Sequence, residues 1–248
     1  MGYNAFITGG SRGIGRAIVL EYVKKGWGVG FTYNSREDQA HKTIELAKEI
    51  NPHLPVRAYP MNLLDPEGIE AVCEKVLDDF TEIDAVVNNA AILQDNAAAI
   101  MSNEQWNQVI AADLTAPFLV CRSFLMHFLS KRRGRIINIS SLSAGGSSGQ
   151  VNYAAAKSGL IGLSKTLAKE YGKKGITCNV VTVGYVPTGM TEDNMAKNLQ
   201  EYWVKHCPAR RVGEPEEIAA AVLFLSSDDA RFISGENIHV SAGLTYAP

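Results

Sequence analysis

Short apolar runs alternate with longer amphipathic segments through most of the chain. Apolar runs of about four to eight residues between turn residues are typical of buried strands, and apolar positions repeating every three or four residues are typical of helices. This pattern predicts strands at Asn4–Thr8, Trp27–Tyr33, Val56–Pro60, Ala85–Asn88, Arg135–Ile139, Thr177–Val183 and Asn237–Val240. It predicts helices at Ile14–Lys25, Glu37–Ile50, Pro66–Phe80, Asn103–Ser130, Asn152–Tyr171 and Pro215–Ser226.

Several of the predicted strands are apolar on both faces. Ala85-Val86-Val87 and Ile136-Ile137 show no alternation of polar and apolar residues, as expected for a parallel sheet that helices cover on both sides. Because strands and helices also alternate along the chain, we predict an α/β fold with a Rossmann-type, doubly wound parallel sheet.

One long stretch, Gly184–Arg211, contains no obvious strand. A segment of this length within a compact domain is usually a lid or a binding loop. No repeat, low-complexity tract or linker divides the remainder of the sequence. We therefore predict a single domain over residues 1–248, with a substrate lid around 184–211.

Composition and charge narrow the functional classes. Hydrophobic residues make up 46% and charged residues 20% of the chain, and the net charge is −2, so there is no basic footprint for nucleic acid or an anionic membrane. Apolar runs such as Ile218 to Leu225 are too short to span a membrane, and no secretory signal is expected at the amino terminus. Scattered cysteines without metal-site spacing indicate reduced thiols in a cytoplasmic protein and predict no metal: Cys73, Cys121, Cys178 and Cys207.

A glycine-rich loop follows the first predicted strand. It reads Thr8-Gly9-Gly10-Ser11-Arg12-Gly13-Ile14-Gly15 and leads directly into a helix. Glycines in such a loop permit a tight turn and let backbone N–H groups approach a pyrophosphate at the helix N-terminus. The alternative is a generic glycine turn, but the flanking strand and helix favour a dinucleotide site.

The end of the second predicted strand bears on the choice of dinucleotide. Tyr33-Asn34-Ser35-Arg36 lacks the acidic residue that would bind a ribose 2′-hydroxyl. Amide, hydroxyl and guanidinium groups, together with Arg12 in the glycine loop, favour a 2′-phosphate and hence NADP(H). Glu37 and Asp38 lie just beyond and argue the other way, unless they are solvated residues at a helix start.

Tyr153 and Lys157 are four positions apart in a predicted helix and so share a face. A phenol normally keeps its proton to a pKa of about 10, and a neighbouring ammonium lowers that pKa because it stabilises the phenolate. A lysine alone in water is too weak for this purpose. The pair therefore predicts acid–base chemistry only if a second cation and a water-poor site accompany it; otherwise it is ordinary helix surface.

Five motifs in this order resemble the short-chain dehydrogenase/reductase family over essentially the whole chain. They are the glycine loop, Asn88-Asn89-Ala90, Ser140-Ser141, Tyr153 with Lys157, and Gly184 to Thr188. The resemblance implies an NAD(P)-dependent oxidoreductase, usually a homotetramer. An oxidised nicotinamide would be the second cation, and a cleft filled by cofactor would exclude water.

The resemblance also implies roles for individual residues. Tyr153 would act as general acid toward a ketone, and Lys157 would lower the pKa of the tyrosine and bind the nicotinamide ribose. A serine would hydrogen-bond the carbonyl oxygen, and residue 113 would help to hold a proton-relay water. The implied cofactor-binding residues are Gly9, Ser11, Arg12, Gly13, Ile14, Gly15, Asn34, Ser35, Arg36, Asn62, Leu63, Asn89, Ala90, Tyr153, Lys157, Gly184, Val186 and Thr188.

Two serines compete for the catalytic role. Counting back from Tyr153 at the spacing usual in the family leads to Ser140, whereas alignment on the strand 134–139 leads to Ser141. A slip of one residue in a strand turns every side chain to the other face, so strand phase is harder to change than loop length. We therefore predict Ser141.

Several residues depart from the family pattern, and two of them lie at predicted site positions. Asp113 stands where the family has its relay asparagine, and Asn62 stands where an acidic residue is usual. Asp113 can serve if its backbone carbonyl fills the relay role; alternatively, it is a buried capping or helix-bending residue. Asn62 can still contact adenine through its amide.

Within the family, the chain looks most like the 3-oxoacyl-acyl-carrier-protein reductases. Three segments carry this resemblance: Gln94-Asp95-Asn96, Gly149 to Lys157 and Arg211 to Glu217. It implies an NADPH-dependent reduction of a 3-oxoacyl thioester of fatty-acid or polyketide type. The alternatives are a reductase or dehydrogenase of a small free ketone, sugar or steroid, and a non-catalytic NADP-binding protein.

A carrier-protein partner is also implied by the resemblance. In those reductases, basic residues at the positions of Arg132 and Lys174 receive the acidic carrier protein, which is sensible electrostatically. The alternative is a solvated basic helix end favoured by the macrodipole. The predicted lid would supply an apolar pocket for the acyl group from Tyr185, Met190, Met195, Tyr202 and Trp203. The alternative is that some of them belong to the core or to a subunit interface.

Overall fold

A computed structural model describes residues 2–188 and 197–245. The strands are β1 (Asn4–Ile7), β2 (Gly28–Tyr33), β3 (Val56–Pro60), β4 (Ala85–Asn88), β5 (Gly134–Ser141), β6 (Ile176–Val183) and β7 (Asn237–Val240). The helices are α1 (Gly13–Lys24), α2 (Glu37–Ile50), α3 (Pro66–Phe80), α4 (Asn103–Ile110), α5 (Ala116–Lys131), α6 (Val151–Tyr171), α7 (Lys197–His206) and α8 (Pro215–Ser226). A π-helical turn, Ala111–Thr115, joins α4 to α5.

The described strands form one seven-stranded sheet in the order β3-β2-β1-β4-β5-β6-β7. Every pairing is parallel, so all carboxyl ends lie at one edge of the sheet. The chain leaves β1 in one direction toward β2 and returns on its other side as β4. Ligands of open α/β sheets bind in the crevice at such a reversal, beyond the carboxyl ends of the strands.

Helices cover both faces of the sheet. On one face, α1 packs on α8, with the hydroxyls of Tyr22 and Ser226 hydrogen-bonded between them. On the other face, Phe124 and Phe128 of α5 are fully buried together with Ile69 of α3. The predicted α/β class and the doubly wound parallel sheet are confirmed.

Local sequence signals explain where two helices begin. Asp65 accepts a hydrogen bond from the Gly68 backbone N–H at 3.1 Å, and Pro66 occupies the first turn of α3. At α4, Ser102 and Gln105 form a capping box, in which each side chain accepts from the other residue's backbone N–H. These caps satisfy helix N–H groups that would otherwise lack partners.

The helical stretch Asn103–Lys131 is long and apolar enough to span a membrane by length and composition. Its most apolar window is 56% buried inside the molecule, and α5 contributes Phe124 and Phe128 to the core. This is therefore a core helix of the sheet.

One helix was not predicted from the sequence. The stretch 184–211 contains α7, Lys197–His206, beside the carboxyl edge of the sheet. Met190 and Met195, which were predicted to line the apolar pocket, lie outside the described residues.

Candidate active site

A cleft of about 630 Å³ opens at the carboxyl edge of the sheet, at the reversal between β1 and β4. It brings together segments that are far apart in the sequence, from the glycine loop to Trp203 of α7. Every predicted cofactor residue lines it: Gly9, Ser11, Arg12, Gly13, Ile14, Gly15, Asn34, Ser35, Arg36, Asn62, Leu63, Asn89, Ala90, Tyr153, Lys157, Gly184, Val186 and Thr188. Ser141 also lines the cleft, whereas Asp113 lies behind Lys157.

Hydrogen bonds between β1 and β4 hold the glycine loop in place. The Thr8 hydroxyl accepts from the backbone N–H groups of Asn89 and Ala90, each at 3.0 Å. The Asn89 amide donates in return to the carbonyls of Thr8 and Gly9 at 3.0 and 3.1 Å. Gly9 has φ 71°, and a Cβ there would lie 3.0 Å from the Ala90 Cα, so only glycine fits this turn without strain.

The loop suits a pyrophosphate. Helix α1 begins at Gly13, and no side chain caps its first N–H groups among the described residues. Its first turn contains no acidic residue. Unfilled N–H groups and the positive end of the helix dipole therefore face the cleft, which is the arrangement that binds a phosphate.

The end of the cleft beside β2 and β3, called the far end below, carries the groups predicted to bind a 2′-phosphate. Arg12, Asn34, Ser35 and Arg36 are exposed and line it. The two acids that argued against NADP(H) point to other partners. The Tyr33 hydroxyl donates to Glu37 at 3.4 Å, and the Gln39 amide donates to Asp38 at 2.8 Å.

Asn62 also lies at this end of the cleft. Its side-chain oxygen accepts from the Leu64 backbone N–H at 3.0 Å, so the loop after β3 is locked by its own amide. The side-chain nitrogen is the group left to reach a base.

The two candidate serines are adjacent in β5 and therefore point to opposite faces. The Ser140 hydroxyl is buried and donates to the carbonyl of Lys157 at 3.1 Å. The Ser141 hydroxyl accepts from the Ser143 backbone N–H at 3.1 Å and interacts with the side chain of Tyr153. Ser140 is thus occupied in holding β5 against α6, and Ser141 faces the tyrosine.

Helix α6 presents Tyr153 and Lys157 one turn apart, as the spacing predicts. The Lys157 Nζ lies 5.3 Å from the centroid of the Tyr153 ring. The ammonium donates to the Ile139 carbonyl at 3.3 Å and lies 3.5 Å from Oδ2 of Asp113. The ammonium therefore has two partners inside the protein, a hydrogen-bonded carbonyl and an ion-paired carboxylate, and can still donate to a ligand in the cleft.

Burial and two neighbouring charges govern the acid–base properties of this group. Burial raises the pKa of Tyr153 above its usual value; Lys157 opposes that rise, and Asp113 adds to it. Burial by itself would lower the pKa of Lys157, but Asp113 and Tyr153 outweigh it, so the pKa of Lys157 is raised. Burial also raises the pKa of Asp113, against the influence of Lys157.

The π-helical turn places Asp113 beside α6. Pro117 has no backbone N–H and so cannot donate an α-helical bond to the carbonyl of Asp113. On the facing helix, a Cβ at Gly159 would lie 2.8 Å from the Leu114 side chain, so glycine lets the two segments approach closely. Extra turns of this kind frequently occur at functional sites.

Asn152 positions Tyr153, and sequence reasoning did not identify that role. Its side chain is fully buried and donates to the carbonyls of Gln94 and Gln105 at 3.0 and 3.2 Å. Its oxygen accepts from the Tyr153 backbone N–H at 2.8 Å. The signal in the sequence is an asparagine in the first turn of the helix, next to Tyr153.

Aromatic residues stand at the edge of the cleft where the lid was predicted. The rings of Tyr185 and Trp203 stack with centroids 5.5 Å apart, and both residues line the cleft. Tyr202 instead lies against His206 on the exposed side of α7.

Fold and cleft together are those of a dinucleotide-binding α/β protein whose cleft brings Ser141, Tyr153 and Lys157 together. The chain belongs to the short-chain dehydrogenase/reductase family: residues 9–245 match the family model described as enoyl-(acyl carrier protein) reductase. It is therefore an oxidoreductase that acts on CH–OH or C=O groups with a nicotinamide cofactor.

Individual relatives agree with this assignment. The chain is 41% identical over 243 residues to the 3-oxoacyl-[acyl-carrier-protein] reductase FabG of Escherichia coli (strain K12), covering 97% of this chain and 96% of that protein. It is 36% identical over 244 residues to FabG of Staphylococcus aureus, with 97% of each covered. The crystal structure of levodione reductase superimposes with a TM-score of 0.91 at 28% identity, covering 97% of this chain and 96% of that one.

Proposed function

We propose that the protein is an NADPH-dependent ketoreductase that converts a 3-oxoacyl thioester on an acyl-carrier protein to the 3-hydroxyacyl product. The observation that carries the proposal is the meeting of Ser141, Tyr153 and Lys157 beside the glycine loop. Relatives named 3-oxoacyl-[acyl-carrier-protein] reductase, at 36–41% identity over nearly the whole chain, support the choice of substrate.

The proposed mechanism is carried by three side chains. A nicotinamide cofactor, when bound, supplies the hydride. Tyr153 donates its phenolic proton to the carbonyl oxygen, which typically contributes about 10²–10⁴-fold. Ser141 donates a hydrogen bond to the same oxygen as negative charge develops there. Lys157 stabilises the phenolate that remains, because opposite charge favours the ionised form.

The preference for NADPH rests on the charge around the far end of the cleft. Arg12 and Arg36 both line that end, and no acidic residue lines it among the described residues. An additional phosphate would gain charge-assisted hydrogen bonds there, whereas a bare ribose would not use the guanidinium groups.

The proposed docking residues for the carrier protein lie at the opposite edge of the sheet from the cleft. Arg132 and Lys174 are exposed and lie just before β5 and β6, at the amino edge of the sheet. Tyr153 lies at the carboxyl edge, beyond the eight residues of β5, which span roughly 26 Å. A carrier docked on these basic residues would therefore serve the cleft of a neighbouring subunit, which ties this proposal to the proposed homotetramer.

Exposed apolar side chains support such an assembly. Phe118 and Met126 on α5 are 41% and 74% exposed, in a helix whose other face is in the core. The alternative is that Arg132 and Lys174 are only solvated charges near helix ends, where the macrodipole favours them. It would not affect the proposal that the protein is a ketoreductase.

A substrate panel with two proteins tests the proposal. Wild type and Tyr153→Phe are assayed for oxidation of NADPH and of NADH with a carrier-bound 3-oxoacyl thioester, a small free ketone, a sugar, a steroid and an enoyl thioester. We expect the highest kcat/KM with NADPH and the carrier-bound ketone, and a loss of at least about 10²-fold in Tyr153→Phe, with NADPH binding retained.

Other outcomes contradict the proposal in distinct ways. A higher kcat/KM on a free ketone, sugar or steroid would make this a different reductase, and a higher value on the enoyl thioester would make it a reductase of C=C bonds. Equal activity of Tyr153→Phe and wild type would remove Tyr153 as the proton donor. NADPH binding without turnover of any substrate would leave a non-catalytic cofactor-binding protein.

A further inference from the structure

We propose that Asp113 is the counter-ion of Lys157, so that the ammonium is shared between a carboxylate and the phenol of Tyr153. Shared in this way, Lys157 promotes ionisation of Tyr153 less than an unpaired lysine would. The inference assigns Asp113 a positioning role that is independent of a relay water. Because Tyr153 is the proton donor of the proposed ketoreductase, the catalytic meaning of this inference rests on the proposed function.

Geometry supports a charged Asp113. The residue is fully buried, and its Oδ1 accepts from the Ile92 backbone N–H at 2.9 Å. Its Oδ2 lies 3.5 Å from the Lys157 Nζ and has no hydrogen-bond partner among the described residues. A proton on Oδ2 would find no acceptor there, whereas a carboxylate places both oxygens next to donors. The ionised form therefore fits its surroundings better.

Few other charged groups face the tyrosine. Lys157 approaches from the same helix and Asp113 from the π-helical turn, while Ser141 of β5 is uncharged. Asp95, in the loop after β4, is exposed and accepts from the Gln150 amide at 2.8 Å. Among the charged groups near Tyr153 in the described part of the chain, Asp113 is thus a buried carboxylate and Asp95 is a solvated one.

The electrostatic consequence has a definite sign. An anion favours the neutral phenol over the phenolate, and Coulomb interactions are strong where water is excluded. Asp113 therefore keeps Tyr153 protonated to higher pH. Since reduction of a ketone needs the protonated phenol, Asp113 extends the pH range of reduction on its alkaline side.

Titration of the tyrosine tests this without turnover. The ultraviolet absorbance of phenolate is recorded against pH for the full-length, cofactor-free protein and for Asp113→Asn, which removes the charge at nearly constant volume. Tyr153→Phe in each background provides the blank for the other tyrosines. We expect Tyr153 to ionise at lower pH in Asp113→Asn; below the midpoint, each pH unit of displacement raises the phenolate fraction about tenfold.

Asp95→Asn is the matched control, because it removes one carboxylate that solvent screens. It should displace the titration less than Asp113→Asn does. An unchanged titration in Asp113→Asn, a displacement to higher pH, or an equal displacement in Asp95→Asn would each overturn the proposal.

A second measurement covers the case in which Asp113→Asn does not fold. Carbon-13 NMR of the wild-type protein labelled at the lysine ε-carbon, with Lys157→Met for assignment, follows the ammonium directly. The proposal requires Lys157 to lose its proton at higher pH than the surface lysines, and titration below them would contradict it. Both readouts are independent of substrate, so their failure would leave the ketoreductase proposal standing.

Discussion

Buried charges occur at both edges of the sheet, but their hydrogen bonding differs. At the amino edge, Arg135 is 5% exposed in its side chain and donates to the carbonyls of Gly134 and Gly175 at 3.0 and 3.1 Å and to Asp228 at 3.1 Å. At the carboxyl edge, Asp113 keeps one oxygen without a hydrogen bond, and Lys157 has two partners for three donors.

This difference distinguishes an ion network that stabilises the fold from one that can interact with a ligand. The hydrogen bonds of Arg135 all go to other groups of the protein, so this charge holds chain segments together. A buried group with an open direction costs stability and calls for an explanation. At the amino edge, Arg133 also has nitrogens without hydrogen bonds, but its guanidinium lies over the Tyr3 ring at 4.4 Å and pairs with Asp228 at 3.2 Å.

The largest expected effect is at the carboxyl edge. Ser141→Ala removes a hydroxyl that faces Tyr153, and we expect kcat for ketone reduction to fall about 10²–10³-fold because a donor to the developing alkoxide is lost. The free energy of unfolding should fall by no more than about 1 kcal/mol, since the hydrogen bond from the Ser143 backbone N–H is lost. Steady-state kinetics with saturating NADPH and urea unfolding measure the two quantities.

Ser140→Ala is the control for that experiment. It removes one hydrogen bond to the carbonyl of Lys157 and should cost about 1 kcal/mol of stability, with a smaller effect on kcat than Ser141→Ala. If Ser140→Ala abolishes turnover while Ser141→Ala leaves kcat unchanged, the assignment of the serines is reversed.

At the amino edge, the same kind of change should act on stability instead. Asp84 is 5% exposed in its side chain, accepts from the Asn4 backbone N–H at 2.9 Å and pairs with Lys131 at 3.2 Å. Asp84→Ala leaves the Asn4 backbone N–H without its acceptor and leaves Lys131 with Glu82 alone. We therefore expect a loss of about 2 kcal/mol in the free energy of unfolding. Activity per folded molecule should be retained.

Glu82→Ala provides the comparison, because Glu82 pairs with the same lysine at 3.1 Å but is 49% exposed in its side chain. Solvent screening limits its expected cost to about 1 kcal/mol or less. Urea unfolding of both variants decides the matter: equal losses would show that burial does not distinguish the two carboxylates.

Local signals in the sequence are sufficient for most of the fold. Apolar runs on both faces predict the central strands, and Asp65 with Pro66 predicts the start of α3. Helix α7 is different, since Lys197 to His206 is mostly polar. Its helical character depends on packing that includes Trp203 beside Cys207 and Leu244, which lie far along the chain.

The same division holds for the candidate site. The glycine loop, Tyr153 and Lys157 are visible in the sequence because helix spacing and a strand–loop–helix order constrain them. The contacts of Asn152 and the pairing of Asp113 with Lys157 are not, because they form only when α6 packs against α4 and against the π-helical turn. Chemistry that depends on long-range packing becomes apparent only from the structure.

The smallest expected effect concerns the exposed charges at the amino edge. Arg132→Glu with Lys174→Glu should weaken attraction to an acidic carrier protein by about 1.4 kcal/mol, which corresponds to about a tenfold rise in KM for the carrier-bound ketone. KM for a small free ketone should stay the same. Raising the ionic strength should diminish the difference, because exposed charges are screened.

Lys42→Glu with Lys48→Glu is the matched control, since it makes the same change in net charge on exposed positions of α2. It should leave both KM values near those of wild type. If both double variants raise KM for the carrier-bound ketone equally, only net charge matters and the docking site at the amino edge is wrong. If only the Arg132 and Lys174 variant raises KM for the carrier-bound ketone, the carrier protein docks at the amino edge of the sheet. Since this edge is distant from the cleft of the same subunit, the docked carrier would deliver its substrate to another subunit.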